Sequence, residues 1–149
     1  MKESKLFRSL LFGSLVAVFF SGCTAGMLGD QGSHLTTVNL VAEAKPAISP
    51  DSVKVDDIAP DNVSAISQQA IDAYVEKHLK GAEKIADIQA AGSGYGDKKG
   101  KAIERAKKRA ASIGANVILI VGNQKSSSVF DNIYGSGYTT LKVLAYYQK

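Results

Sequence analysis

Lys107–Val121 reads KKRAASIGANVILIV, and its change of period decides the fold. Ile103, Ala106, Ala110 and Ile113 recur at helical spacing. Gly114 stands where a left-handed residue would stop that helix. Val117–Val121 is then an unbroken apolar run, which suits a central strand buried on both faces. Working backwards, Ile85–Ala91 is a strand candidate with Ala86, Ile88 and Ala90 on one face. Strand, helix and strand thus occupy residues 84–122. Such a unit crosses over right-handed when its strands are parallel in one sheet.

The flanks extend this pattern. Thr139–Gln148 alternates, with Leu141, Val143, Ala145 and Tyr147 on one side, and reads as a last strand antiparallel to its predecessor. In Ser64–Lys80, the residues Ile66, Ala70, Ile71, Tyr74, Val75 and Leu79 follow helical spacing, and Gly81 ends the run. His34–Ala44 has the composition of a first strand. Residues 45–63 hold all three prolines and read as loop, with Ser52–Val55 briefly extended. Residues 122–137 read as a Ser/Gly loop. The expected fold class is α/β (or α+β): a small mixed β-sheet with two helices packed on one face. Beyond residue 22 there is no Trp and one Phe, Phe130, so the core is expected to be Ile, Val, Leu and Ala.

The N-terminus speaks to compartment. Lys2, Lys5 and Arg8 precede an apolar run, Leu10–Phe20, broken only by Gly13 and Ser14. Ser21-Gly22-Cys23 follows. A basic head, a short apolar stretch and small residues read as a secretory signal over residues 1–22. The run is short for a membrane span, which needs about 20 residues. Cys23 is the single cysteine, so no disulfide forms within one chain. Residues 23–33 read as a flexible tether and 34–149 as one small domain.

Charge is uneven. The chain holds 18 Lys+Arg and 14 Asp+Glu; residues 1–22 take three and one of these, leaving 15 and 13. Residues 24–83 carry nine acids and four bases, and residues 84–149 four acids and eleven bases. Lys98, Lys99, Lys101, Arg105, Lys107, Lys108 and Arg109 crowd one helix. That helix presents either a solvated face or a surface for an envelope protein or an anionic envelope polymer. Nucleic acid is not an expected partner of an exported chain. Tyr95, Tyr134 and Tyr138 sit among Gly and Ser and are candidates for stacking on a sugar or a protein. The candidate interaction surface is therefore Lys98, Lys99, Lys101, Arg105, Lys108, Tyr95, Tyr134 and Tyr138.

The glycine-rich run Gly92–Ala102 (GSGYGDKKGKA) precedes the helix as a phosphate loop would. A Walker loop beginning at position 95 would need Gly there and a hydroxyl at 102, but Tyr95 and Ala102 occupy them. A dinucleotide fingerprint fails at Asp97 or Lys99, depending on its start. The run reads as a turn before a helix capped by Asp97. His34 and His78 have no nucleophile close in sequence, and there is no His or Cys pair for a metal. The expectation is no catalytic residue, no cofactor and no metal.

Cys23, following Ser21-Gly22, resembles the lipobox cysteine of bacterial lipoproteins; Phe20 stands where Leu, Val or Ile is more usual. Lys107–Ile118 is similar to a helix-to-strand pattern, Ala-Ala-x-x-Gly-Ala-Asn-Val, in small outer-membrane lipoproteins of unknown function. The Rcs envelope-stress sensor lipoproteins have a distantly similar element. Those sensors depend on disulfides, which this chain does not supply. The resemblance implies diacylglycerol on the Cys23 thiol, often an acylated (palmitate-type) amino group, and cleavage before Cys23. Thr24, where Asp would retain the protein at the inner membrane, implies the outer membrane, facing the periplasm. The implied function is a non-enzymatic interaction or structural module in envelope sensing or assembly. The alternative is an enzyme acting on envelope polymers, or a peptidoglycan- or saccharide-binding domain.

Overall fold

A computed structural model describes residues 36–125 and 137–149. The signal segment, Cys23, the tether, His34, Phe130 and Tyr134 lie outside the described residues. Within them the strands are β1 (Thr36–Leu40), β2 (Lys54–Asp57), β3 (Glu83–Ser93), β4 (Val117–Lys125) and β5 (Tyr138–Tyr147). The helices are α1 (Gln68–His78) and α2 (Lys98–Ser112), and a short 3-10 turn spans Pro50–Ser52.

One mixed sheet runs in the order β1-β3-β5-β4-β2. β1 is antiparallel to β3, β3 to β5 and β5 to β4, while β2 is parallel to β4. β3 and β4 are therefore parallel, with β5 slotted between them. Such an insertion leaves no trace in the local pattern of either strand.

The helices lie on opposite faces, not on one. Ile118 and Ile120 of β4 join Ala102, Ala106 and Ala110 of α2 in one buried cluster. Val117, Leu119 and Val121 join Ile71 and Leu79, in and after α1, in another. The reason is chirality. From β2 to β3 the chain crosses the sheet one way, and from β3 to β4 it crosses back. Crossovers of one hand travelling in opposite directions must pass on opposite faces. The unbroken apolar run of β4 is what such two-sided cover requires, and all five residues of Val117–Val121 are buried.

The joint between α2 and β4 shows how Lys107–Val121 works. Gly114 has φ +74°. Its N–H donates to the Ala111 carbonyl at 3.1 Å, and that of Ala115 to the Ala110 carbonyl at 2.9 Å. This is a Schellman close, with Ala110 and Ala115 both buried beneath it. Asn116 then clips the last strand. Its Nδ2 donates to the Gln148 carbonyl at 2.7 Å, and its Oδ1 accepts from the Gln148 N–H at 2.8 Å. The side chain thus extends the ladder as a backbone would. Asn116→Ala should cost about 1–3 kcal/mol, the range for stripping a part-buried pair of its partner. Urea unfolding measures it; a loss near zero would mean water replaces both bonds.

α1 starts later than Ser64. The Ile66 N–H donates to the Val121 carbonyl at 2.8 Å, and Val63 bridges Asn123, so this stretch runs extended along β4. Ser67 then caps the helix, its hydroxyl accepting from the Ala70 N–H at 3.3 Å. The brief extended piece near residue 54 is an edge strand, recruited by parallel pairing of Lys54–Asp57 with Val117–Ile120. Burial pushes the Tyr146 phenol above its ordinary pKa, with Asp87 and then Asp72 adding to the shift.

Candidate functional site

The loop between β3 and α2 organises the candidate residues. Gly92 is buried where the first turn of α2 crosses the end of β3. Asp97, extended in backbone, caps α2: its carboxylate accepts from the Gly100 N–H at 2.8 Å. That carboxylate sits on the helix N-terminus, where a phosphate would otherwise find unpaired amides.

Three of the five candidate cations turn toward the protein. Lys101 Nζ donates to the Tyr95 carbonyl at 2.6 Å and to the Ser93 carbonyl at 3.3 Å. The Arg105 guanidinium donates to the Ala91 carbonyl. Lys99 pairs with Asp57 at 2.6 Å. These contacts fasten α2 to the end of β3 and to the β2 edge. Backbone carbonyls at the end of β3 and in the turn after it draw in Lys101 and Arg105, and the Asp57 carboxylate draws in Lys99; charge counting in the sequence reveals none of these partners.

Lys98, Lys99 and Tyr138 are brought together in an open cleft of about 510 Å³, which Asp61, Asp97, Lys125 and Thr139 also line. Register explains the meeting: Tyr138 pairs with Ser93 at the end of β3, and Thr139 with Lys125 at the end of β4. Tyr138 is 51% exposed, and Tyr95 on the neighbouring turn is 78% exposed. Lys108 is exposed too. It lies ten residues along the helix from Lys98, roughly 15 Å at 1.5 Å per residue, and so belongs to another part of the surface.

Asp61, Asn123 and Lys125 were not singled out by sequence. Asn123 is fully buried, and its Nδ2 donates to Asp61 Oδ1 at 2.8 Å. Lys125 reaches Asp61 Oδ2 at 3.4 Å. Among the described residues the Asn123 Oδ1 has no hydrogen-bond partner. The one available signal was a polar residue one glycine beyond an apolar run. Its carboxylate partner lies 62 positions earlier, out of reach of any local pattern.

A second groove of about 470 Å³ lies on the sheet face that α1 leaves uncovered. Asn39, Asp87, Gln89, Thr140 and Lys142 line it. His78 stands apart from both hollows, exposed and stacked on Tyr74 at 4.4 Å between ring centroids. Among the described residues no three His, Cys, Asp or Glu side chains are grouped as metal ligands would be. Nor is any helix there long and apolar enough to cross a membrane.

Fold and cleft together define a small α/β domain with a split β-α-β centre and lysines edging one end of its sheet. No family model matches the chain, and no curated protein matches it. Among solved structures it is similar to a Francisella virulence factor, FvfA, in an orthorhombic crystal form. Identity is 16% and the TM-score 0.48, with 74% of this chain and 94% of that chain covered.

Proposed function

We propose that this chain is a bacterial envelope lipoprotein, a non-enzymatic interaction or assembly module held by lipid on Cys23 at the periplasmic side of the outer membrane. The observation that carries the reading is the order of its N-terminal parts: a basic head, the apolar run Leu10–Phe20, Ser21-Gly22-Cys23, then Thr24 and a Gly-rich stretch before β1. Two or more acyl chains hold a protein stably on a bilayer, where one chain holds it only marginally. The three lysines that line the cleft, Lys98, Lys99 and Lys125, with exposed Tyr95 and Tyr138 beside them, support contact with an anionic envelope protein or polymer.

Metabolic labelling with a palmitate analogue, followed by membrane fractionation, tests the anchor. The wild type should carry label and sediment with the outer membrane. Cys23→Ser should lose both. An unlabelled wild type removes the lipoprotein reading.

A further inference from the structure

The start of β1 sets which end of the domain lies toward Cys23. Its first residue, Thr36, pairs with Ala90, three residues short of the end of β3 at Ser93. From there β1 runs away from that end, toward Leu40 and its partner Ala86. Residues 24–35, twelve in number, separate Thr36 from Cys23. Twelve residues reach at most about 43 Å. Turning the opposite end of the sheet to Cys23 would take the chain back past Ala90 to the level of Glu83, about 23 Å at about 3.3 Å per residue. That is more than half of the reach, and the Ser93 end needs no such detour.

The Ser93 end carries cations and exposed tyrosines. α2 begins there, with Lys98 and Lys101 in its first turn, and β4 ends there at Lys125. Tyr138 pairs with Ser93, and Tyr95 stands in the turn beyond it, between Gly94 and Gly96 at positive φ. Both rings are exposed. Tyrosine is enriched where a bilayer meets water, because its ring is apolar and its hydroxyl polar. The ion pairs of α2 join Lys99 to Asp57 and Lys107 to Glu104. Among the described residues Lys98, Lys101 and Arg105 have no carboxylate partner, and the carbonyls that hold Lys101 and Arg105 carry no charge. The Asp97 carboxylate is occupied by the Gly100 N–H.

We infer that the Ser93 end of the domain docks on the anionic phospholipid headgroups of the bilayer that holds the chain. The inference rests on the Cys23 anchor proposed above and names the first partner of the surface formed by Tyr95, Lys98 and Tyr138. Anchoring makes this encounter intramolecular, so the bilayer stands at high effective concentration, whereas a protein or polymer must diffuse in. Basic side chains are drawn to an anionic leaflet within a Debye length of it, and the short reach of residues 24–35 favours that approach. Docking sets Lys98, Lys101 and Lys125 among the phosphates and the two tyrosine rings at headgroup level. The opposite end then faces away from the lipid. It carries Lys80, just before β3, and Lys149, beyond the Gln148 that Asn116 clips.

One experiment on the full chain separates this docking from the anchor itself. The purified chain is inserted into vesicles of phosphatidylcholine, or of phosphatidylethanolamine with phosphatidylglycerol. Lysines are labelled with an amine-reactive ester and read one by one by mass spectrometry, which also reads the mass of the Cys23 peptide. Lys98, Lys101 and Lys125 should label at least about threefold more slowly on the phosphatidylglycerol vesicles than on phosphatidylcholine. Lys80 and Lys149 should label equally on both. Salt at about 1 M, where screening shortens to about 3 Å, should abolish the difference. An acylated Cys23 with Lys98, Lys101 and Lys125 equally reactive on both vesicles overturns the docking and leaves the anchor standing; the surface would then be left to a protein or polymer. Slower labelling of Lys80 and Lys149 instead overturns it too, by putting the other end on the lipid. A Cys23 peptide without lipid overturns the anchor and the docking together.

Discussion

Gly92→Ala is expected to destabilise the domain by about 3 kcal/mol or more, at the upper end of overpacking effects. A Cβ at Gly92 would collide with the Lys98 carbonyl oxygen and stand 2.9 Å from the Ala102 backbone nitrogen. Both obstacles are helix backbone, so no side-chain rotation relieves the clash. The first turn of α2 must move off β3. Moving it strains the Asp97 cap on Gly100 and the Lys101 contacts to Ser93 and Tyr95. Gly96→Ala is a control in the same loop. Nothing lies within 4 Å of its added Cβ, and only its φ of +83° opposes the change. That costs about 1–2 kcal/mol. Urea midpoints should therefore fall further for Gly92→Ala than for Gly96→Ala. The reverse order would mean that the loop, not the helix contact, governs this end of the fold.

This result would also settle what the glycine-rich run is for. Its resemblance to a phosphate loop comes from glycines between a strand and a helix, and here each has a backbone reason. Gly92 allows close approach, while Gly94 and Gly96 supply positive φ. Local signals of this kind were legible in the sequence. The Asp97 cap, the Gly114 stop and the two-faced burial of Val117–Val121 all follow from residue type and spacing. Long-range choices were not. Nothing between Lys84 and Val121 says that β5 will insert between β3 and β4, nor that the return crossover will put α1 on the far face. The candidate surface divided along the same line. Tyr95 is exposed as a turn aromatic should be, because hydrophilic neighbours and turn geometry are local; Tyr138 is half-exposed too, but as the first residue of β5, paired with Ser93. Lys101 and Arg105 turned inward because the carbonyls of Ala91, Ser93 and Tyr95 face the helix, and a charge run carries no word of that.

Two-sided cover of β4 makes a second large effect expected. Ile118→Ala should cost about 2–5 kcal/mol, the range for truncating a fully buried aliphatic side chain. Leu119→Ala should cost a similar amount, although its side chain points the opposite way. Ile118 packs in the cluster beneath α2, and Leu119 in the cluster beneath α1. Both are fully buried. In a sheet covered on one face only, adjacent strand positions would differ sharply, because every second side chain would meet water. Equal losses at 118 and 119 are thus the energetic signature of helices on both faces. Small domains are stable by only about 5–15 kcal/mol, so the double variant should be largely unfolded at ordinary temperature. Urea unfolding of the two single variants, with circular dichroism of the double, measures this. A Leu119→Ala loss below about 1 kcal/mol, the scale of a surface change, would mean that α1 does not cover the strand in solution. The sheet would then present an apolar face to its surroundings, and Val117, Leu119 and Val121 would need another cover.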